Sequence, residues 1–150
     1  MEVNLMAVRY ENNFNKAMGV LDENVETVLV ASSQIVKSQA KANVTAAGRI
    51  DTGKLRDHID YKLRKDGRAV GDMVSDIGSP DNHAIYNELG TGEFADNGAG
   101  RKGGWYYPGS DGKVHFTKGM EPIYFLRNAF RDTKSEVQSI IKSGLGKGLE

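Results

Sequence analysis

The chain has 150 residues, the size of one ordinary domain. Lys plus Arg and Asp plus Glu each number 20, so the formal net charge is zero, which argues against a dedicated nucleic-acid binder with its excess of basic side chains. There is no cysteine, which excludes disulfides, thiol catalysis and cysteine metal sites, and no apolar run reaches the roughly 18 residues of a membrane span.

The first periodic segment runs from about Asn13 to Asn43 and predicts a long helix. Its apolar stripe has spacings of three and four and comprises Phe14, Met18, Leu21, Val25, Val28, Ser32 and Val36. Asn12 or Asn13 can cap its start. A helix of this length spans about 45 Å. The stripe also fits a coiled-coil seam, but a helix lying across a sheet is the interpretation that we favour.

A short helix and a hairpin are predicted next. Asp51 or Thr52 can cap the helix, which carries Leu55 on its apolar face. From residue 59 the period changes to two, with Ile59, Tyr61 and Leu63 alternating with Asp60, Lys62 and Arg64. This pattern predicts a strand with one buried face. Asp66-Gly67 is a strong turn pair, and residues 69–77 are expected to return as the second strand.

The second half is predicted to continue with a short helix, a loop, a hairpin and a helix. The short helix spans His83 to Leu89 and ends at Gly90. Residues 90–104 form a long flexible loop because they are unusually rich in glycine. Trp105-Tyr106-Tyr107 and Val114-His115-Phe116 flank a wide turn as a second hairpin.

The last helix is expected to open at Glu121-Pro122 and to end near Gly144. Its inner stripe is predicted to consist of Leu126, Phe130, Thr133, Val137 and Ile140 or Ile141. This order predicts one α+β domain over residues 1–150, with an antiparallel or mixed sheet of about four strands packed by the long N-terminal helix and the C-terminal helix. Residues 1–12 and 144–150 are expected to be mobile.

The motifs of most enzymes and metal sites are missing. The three histidines, His58, His83 and His115, are not at metal-ligand spacing, and neither a P-loop nor a G-x-S-x-G motif occurs. Arg101-Lys102-Gly103-Gly104 partly matches a pyrophosphate loop of acyl-CoA acetyltransferases, but a strand-like segment follows it where a helix is needed. We therefore expect no catalysis, no cofactor and no metal.

The aromatic group at residues 105–107 indicates a protein interface. Alternate residues of a strand face opposite ways, so at least one of the three side chains points outwards. Exposed Trp and Tyr are typical interface anchors. The predicted subunit or partner interface consists of Glu88, Thr91, Glu93, Phe94, Arg101, Lys102, Trp105, Tyr106 and Tyr107.

A nucleic-acid-binding module is the alternative hypothesis. Its basic residues would be Lys62, Arg64, Lys65, Arg68, Arg101 and Lys102, with the Trp and Tyr side chains stacking on bases. We favour a solvated sheet face for the basic strand because the chain has no net positive charge.

Three motifs in order carry a resemblance to a known family. They are Asp51-Thr52-Gly53-Lys54-Leu55-Arg56, then His83-Ala84-Ile85-Tyr86-Asn87-Glu88-Leu89-Gly90-Thr91-Gly92, then Pro122-Ile123-Tyr124-Phe125-Leu126-Arg127-Asn128-Ala129-Phe130. The set resembles the head–tail joining and tail-completion proteins of long-tailed bacteriophages, a family of neck, minor tail and tail-terminator components. The motif positions expected to maintain the fold are Asp51, Thr52, Gly53, Leu55, Tyr86, Gly90, Pro122, Leu126 and Phe130.

The resemblance implies a structural virion protein and not an enzyme. Copies of the chain would form a ring, expected to be a hexamer, between the head connector or neck protein and the tail-tube protein. DNA would be met only as the passing genome, and no membrane is involved. The protein would assemble in the host cytoplasm and reside in the neck or tail of the virion.

Overall fold

The computed structural model describes residues 13–49, 52–67 and 72–149. The elements follow the predicted order. They are α1 (Phe14–Ala46), α2 (Lys54–Asp57), β1 (Asp60–Lys65), β2 (Met73–Gly78), α3 (Ala84–Leu89), a 3₁₀ turn (Gly92–Phe94), β3 (Trp105–Pro108), β4 (Val114–Thr117) and α4 (Phe125–Gly144).

The two long helices, α1 and α4, pack antiparallel and are tied at both ends by asparagine side chains. Near one end, Asn24 Nδ2 donates to the carbonyl oxygens of Leu145 (3.1 Å) and Lys147 (2.7 Å). Near the other, Asn43 Nδ2 donates to the carbonyl of Phe125 (3.0 Å). The accepting carbonyls lie just after the end of α4 and at its first residue. The bonds therefore fix the position of one helix along the axis of the other.

The core lies where the C-terminal half of α1 meets the start of α4. Its buried side chains are Val36, Ala40, Val44, Ile59, Ala84, Phe125 and Ala129. Most of them are small, which allows the helix backbones to approach closely. Leu55, Ile77, Ile123, Leu126 and Val137 are partly buried around this cluster.

The long first helix is confirmed, and β1 alternates as the sequence predicts. Val28, Ser32 and Val36 of the predicted α1 stripe are buried. In β1, Tyr61 and Leu63 are half-buried, whereas their neighbours Asp60, Lys62 and Arg64 are exposed. The stripe fades towards the start of α1, where Phe14 is exposed.

The expected sheet of about four strands is replaced by two separate antiparallel pairs. β1 pairs with β2 from Asp60↔Gly78 to Lys65↔Met73, and β3 pairs with β4 from Trp105↔Thr117 to Pro108↔Val114. Between β2 and β3 lie α3 and residues 91–104, whose main chain bonds to the segment after β4. These bonds hold residues 91–93 beside residues 118–120.

Helix α4 starts three residues later than the sequence predicts. Pro122 does not open it, because the N–H groups of Ile123 and Tyr124 donate to the carbonyls of Asn87 (2.8 Å) and Glu88 (3.3 Å). Tyr124 then has a left-handed backbone with φ 49°. The buried stripe is Phe125, Ala129 and Thr133, so the predicted placement of Phe130 on the inner face was wrong: half of its surface is exposed.

The cap of α2 also differs from the prediction. Gly53 occupies the N-cap position with φ +76°, and Thr52 Oγ1 only accepts a long bond from the N–H of Lys54 (3.4 Å). Asp51 and Arg68, like residues 1–12 and the first residues of the predicted second strand, lie outside the described residues.

The described part of the chain contains no helix that combines the length and apolarity of a membrane span. In the same residues, no three His, Asp or Glu side chains come together as metal ligands.

The close packing of α1 and α4 can be tested by a substitution at Gly144. A Cβ at this position would collide with Cγ2 of buried Val28. We expect Gly144→Ala to lower the free energy of unfolding by about 1–3 kcal/mol, because overpacking forces the helices apart. Urea denaturation measures this change.

The matched control is Gly19→Ala, also at a helical glycine but with nothing within 4 Å of the added Cβ. It should raise the free energy of unfolding by about 0.5–1 kcal/mol through helix propensity. Equal stabilisation by both substitutions would contradict the tight approach of the helices.

Candidate protein interface

Main-chain hydrogen bonds, which we call the strap, hold residues 91–93 at the start of the glycine-rich segment against residues 118–120, which follow β4. Thr91 N–H donates to the carbonyl of Met120 (2.8 Å), whose own N–H donates to Thr91 Oγ1 (2.9 Å), and Glu93 N–H donates to the carbonyl of Lys118 (2.8 Å). Gly90 is required here, since its φ is +74° and a Cβ would lie 2.8 Å from Pro122 Cδ. The first part of the predicted loop is therefore packed, and the flexibility of residues 90–104 stays a prediction.

The carboxylate of Glu88 caps the start of α4. Its Oε2 accepts from the N–H of Leu126 (2.8 Å) and its Oε1 from the N–H of Arg127 (3.0 Å). These are two of the four N–H groups that have no partner inside a helix, and a negative charge is favourable at this end of the helix dipole. Glu88, predicted as an interface residue, thus makes a contact within the chain that joins α3 to α4.

A second carboxylate beside this helix end, Asp96, binds two side chains. It accepts from the hydroxyl of Tyr124 (2.6 Å) and from Nη2 of Arg127 (2.8 Å), and the Arg127 guanidinium lies over the Tyr124 ring at 4.3 Å. The bond from Arg127, followed by that from Tyr124, lowers the pKa of Asp96 below its ordinary value. The same carboxylate raises the pKa of Tyr124.

The β3–β4 hairpin exposes one apolar face, which we call the aromatic face and define as Tyr106, Pro108, Val114 and Phe116. The register places Tyr106 opposite Phe116 and Pro108 opposite Val114, so all four side chains point to the same side. Tyr106 is 74% exposed, Val114 71% and Phe116 50%. The Tyr106 and Phe116 rings are in contact, with centroids 5.1 Å apart.

The remaining predicted interface residues divide into two groups. Thr91 and Glu93 are used within the chain, since Glu93 Oε1 accepts from the N–H of Gly103 (3.1 Å) in addition to the strap contacts. Arg101 lies over the half-buried ring of Trp105 at 5.8 Å. The side chains left exposed to solvent are Phe94, Arg101, Lys102, Tyr106 and Tyr107. The exposed members of the predicted interface thus lie on the β3–β4 hairpin and in residues 94–102, and their role as an interface stays a prediction.

A second apolar surface lies between α1, β2 and α4, and we call it the α1–β2–α4 groove. It encloses about 410 Å³, and the residues that line it include Ser32, Val36, Met73, Val74, Phe130 and Val137. Phe130 is 50% exposed at this groove. At the α1 wall, Ser33 shares a hydrogen bond with Ser75 (2.6 Å), whereas buried Ser32 Oγ has no hydrogen-bond partner.

The first two sequence motifs meet at a separate pocket of about 340 Å³. Thr52, Gly53 and Leu55 line one side of it, and His83 and Asn87 line the other. Tyr86, which the sequence motif places among the fold-maintaining positions, and its neighbour Ile85 do not line this pocket but are exposed. Ala84 is the residue of α3 that is buried.

The basic strand face is partly neutralised by carboxylates. Arg64 donates to Asp76 Oδ2 (2.7 Å) and Asp66 Oδ1 (3.1 Å), and Asp76 lies directly across the hairpin from Lys62. These contacts do not favour the nucleic-acid hypothesis, which stays untested.

Three exposed side chains of the aromatic face and the α1–β2–α4 groove are not predicted from the sequence. Val114 and Phe116 were assigned only to a strand, although the strand alternation places them beside Tyr106 once the register is known. Phe130 was assigned to the core. Its exposure depends on the rotation of α4, which a helical stripe defines only to within one position.

Comparison with known proteins identifies one family. A family model described as "Bacteriophage HK97-gp10, putative tail-component" matches residues 9–90, more than half of the chain. This match confirms the resemblance to bacteriophage tail proteins. No curated protein and no solved structure matches the chain significantly.

The contribution of Glu88 to α4 can be measured by Glu88→Gln. The change removes the charge at the helix start and weakens two hydrogen bonds, so we expect the free energy of unfolding to fall by about 1 kcal/mol. The exposed Glu136→Gln on the same helix is the control and should change it by less than about 0.5 kcal/mol. Equal effects in urea denaturation would contradict the capping role.

The Asp96 contact gives a pH dependence of known sign. Because the folded-state pKa lies below the ordinary value of 3.8, the contact stabilises the protein above that value and is lost as pH falls through the lower folded-state pKa. We expect Asp96→Asn to lower the Tm at pH 7, and the difference from the parent to close in more acidic solution.

Thermal unfolding from neutral to strongly acidic pH measures this dependence. Arg127→Gln removes the cationic one of the two partners of Asp96 and should weaken the dependence of the Tm on pH in acidic solution. A difference between parent and Asp96→Asn that stays constant across the pH range would contradict the assignment.

Proposed function

Because the chain belongs to the HK97-gp10-like family of bacteriophage tail components, we propose that it is a structural protein that joins neighbouring parts of a phage tail by forming a ring. The family supports a virion location and a structural role. The ring, its hexameric size and its position at the junction of neck and tail are the finer parts of this proposal.

The observation that carries the proposal is the aromatic face of the β3–β4 hairpin. An isolated two-stranded ribbon is only marginally stable in water, and large exposed apolar side chains on it leave hydrophobic surface in solvent. Tyr106, Val114 and Phe116 form such a surface, all at least half exposed. A neighbouring subunit that covers this face would stabilise the ribbon and bury its side chains.

The charge balance agrees with a ring around passing DNA. Net charge is zero, and the paired strand-face residues Arg64 and Asp76 illustrate how basic side chains are compensated. A channel that does not attract phosphates strongly lets the genome pass without being held. The proposed partners are therefore further copies of the chain, the head connector or neck protein, and the tail-tube protein.

Electron microscopy of the purified protein tests this function. We expect rings at high protein concentration, and caps on tubes when tail-tube protein is added, because ring closure and the tube end each add contacts to a weak pairwise interface. Tail-tube protein alone is the control and should show open tube ends. A chain that forms no ring and joins neither tubes nor connectors would contradict the proposal.

A further inference from the structure

The chain carries two apolar surfaces on different elements. The aromatic face belongs to β3 and β4, whereas the α1–β2–α4 groove is lined by the middle of the two long helices and by β2. A closed ring needs two different, complementary surfaces on each subunit, because every copy contacts the next in the same head-to-tail way. The hairpin and the groove supply one surface each.

We infer that the Tyr106 and Phe116 rings of one copy occupy the α1–β2–α4 groove of the next copy. This inference rests on the proposed ring and specifies the contact that would close it. The occupant is a second copy of the chain.

The size of the groove matches the two rings. A cavity of about 150 Å³ holds one benzene ring, so the 410 Å³ groove has room for roughly two. Tyr106 and Phe116 present two rings as a pair, 5.1 Å apart. The exposed ring of Phe130 at the groove adds an aromatic contact for them.

The groove also offers a polar partner for the tyrosine. Ser32 is 7% exposed and its Oγ makes no hydrogen bond, although a buried hydroxyl without a partner is destabilising. Its neighbour Ser33 donates to the carbonyl of Leu29 (2.6 Å), so the lack of a partner is specific to Ser32. A buried tyrosine hydroxyl needs a partner too, and Tyr106 would find it in Ser32 once the side chains that line the groove move to admit its ring, because Ser32 Oγ is closed to solvent in the free chain.

Charged side chains lie beside both surfaces, and the hairpin turn carries Lys113 as well as a carboxylate. Asp111 lies in the turn of the hairpin, where hydrogen bonding from His115 lowers the pKa of its carboxyl and favours the ionised form. Lys134 lines the groove, and among the described residues no carboxylate pairs with it.

The contact area predicts a weak pairwise interface. At their present exposure, the side chains of Tyr106, Val114 and Phe116 together contribute roughly 350 Å² of apolar surface, since a buried aromatic side chain accounts for about 150–250 Å². A stable interface buries about 800 Å² per partner. Two free copies should therefore associate weakly, and closure of the ring or a template should be needed for stable assembly.

Single-cysteine variants test the placement, because the chain has no cysteine of its own. Val114→Cys on the hairpin is mixed with Lys134→Cys at the groove and treated with a short bismaleimide cross-linker at high protein concentration. We expect mixed dimers at least fivefold more abundant than in the control mixture, which pairs Val114→Cys with Ser139→Cys. Ser139 is exposed on α4 and faces away from the groove. Equal yields in the two mixtures would overturn the inference.

A double-mutant cycle tests the proposed hydrogen bond. Ser32→Ala and Tyr106→Phe should each weaken ring assembly about fivefold in sedimentation, and the double variant should be no weaker than either single variant. Ser32→Ala should at the same time leave the thermal stability of the single chain unchanged or raise it. Additive losses would remove the Ser32–Tyr106 contact from the inference, and loss of the monomer fold would show a structural role for Ser32.

The combined variant Tyr106→Ser/Phe116→Ser separates this inference from the proposed function. Rings and capped tubes that persist in it would overturn the hairpin–groove contact while the ring function stands. Selective cross-links without rings would support the contact and contradict the ring. Absence of both in the parent chain would overturn both.

Discussion

The close antiparallel approach of α1 and α4 is the constraint on which the other contacts depend. Small side chains such as Ala40 and Ala129 lie between the helices, and Gly144 faces Val28 where no Cβ could fit. The asparagine bonds at the two ends set the sliding register of the pair. With this register fixed, the start of α4 meets Glu88, and the middle of both helices borders β2 to leave the α1–β2–α4 groove.

Much of the fold follows from local patterns in the sequence. The helix from Phe14 to Ala46 and the alternation of β1 depend on side-chain periods that are strong over many residues. The start of α4 could not be predicted in this way, because it is determined by the carboxylate of Glu88 and by main-chain bonds to residues 87 and 88 that are distant in sequence. Phe130 was misplaced for a related reason: the exact rotation of α4 is set by packing against α1.

The exposure of the candidate interface residues was predicted in part. The aromatic residues at 105–107 indicated an exposed surface from the alternation of strands alone, and Tyr106 is its most exposed member. Val114 and Phe116 join that surface only through the β3–β4 register, which depends on the turn between the strands.

The apolar groove and the unpaired hydroxyl of Ser32 depend on three elements that come together only in the folded chain. The family match ends at residue 90, before both strands of the hairpin, so the family alone does not describe this surface.

Tyr124 links the length of α4 to the position of the glycine-rich segment. Among the described residues it is the only non-glycine with positive φ, a backbone state that costs an L-residue roughly 1–2 kcal/mol. Its ring is held by Asp96, a residue of that segment, and by Arg127 on the helix. If Asp96 moved away, the strain at Tyr124 would favour its return to right-handed geometry, adding a residue to the beginning of the helix. Asp96 thus reinforces, through the side chain of Tyr124, the helix start that Glu88 and the main-chain bonds set.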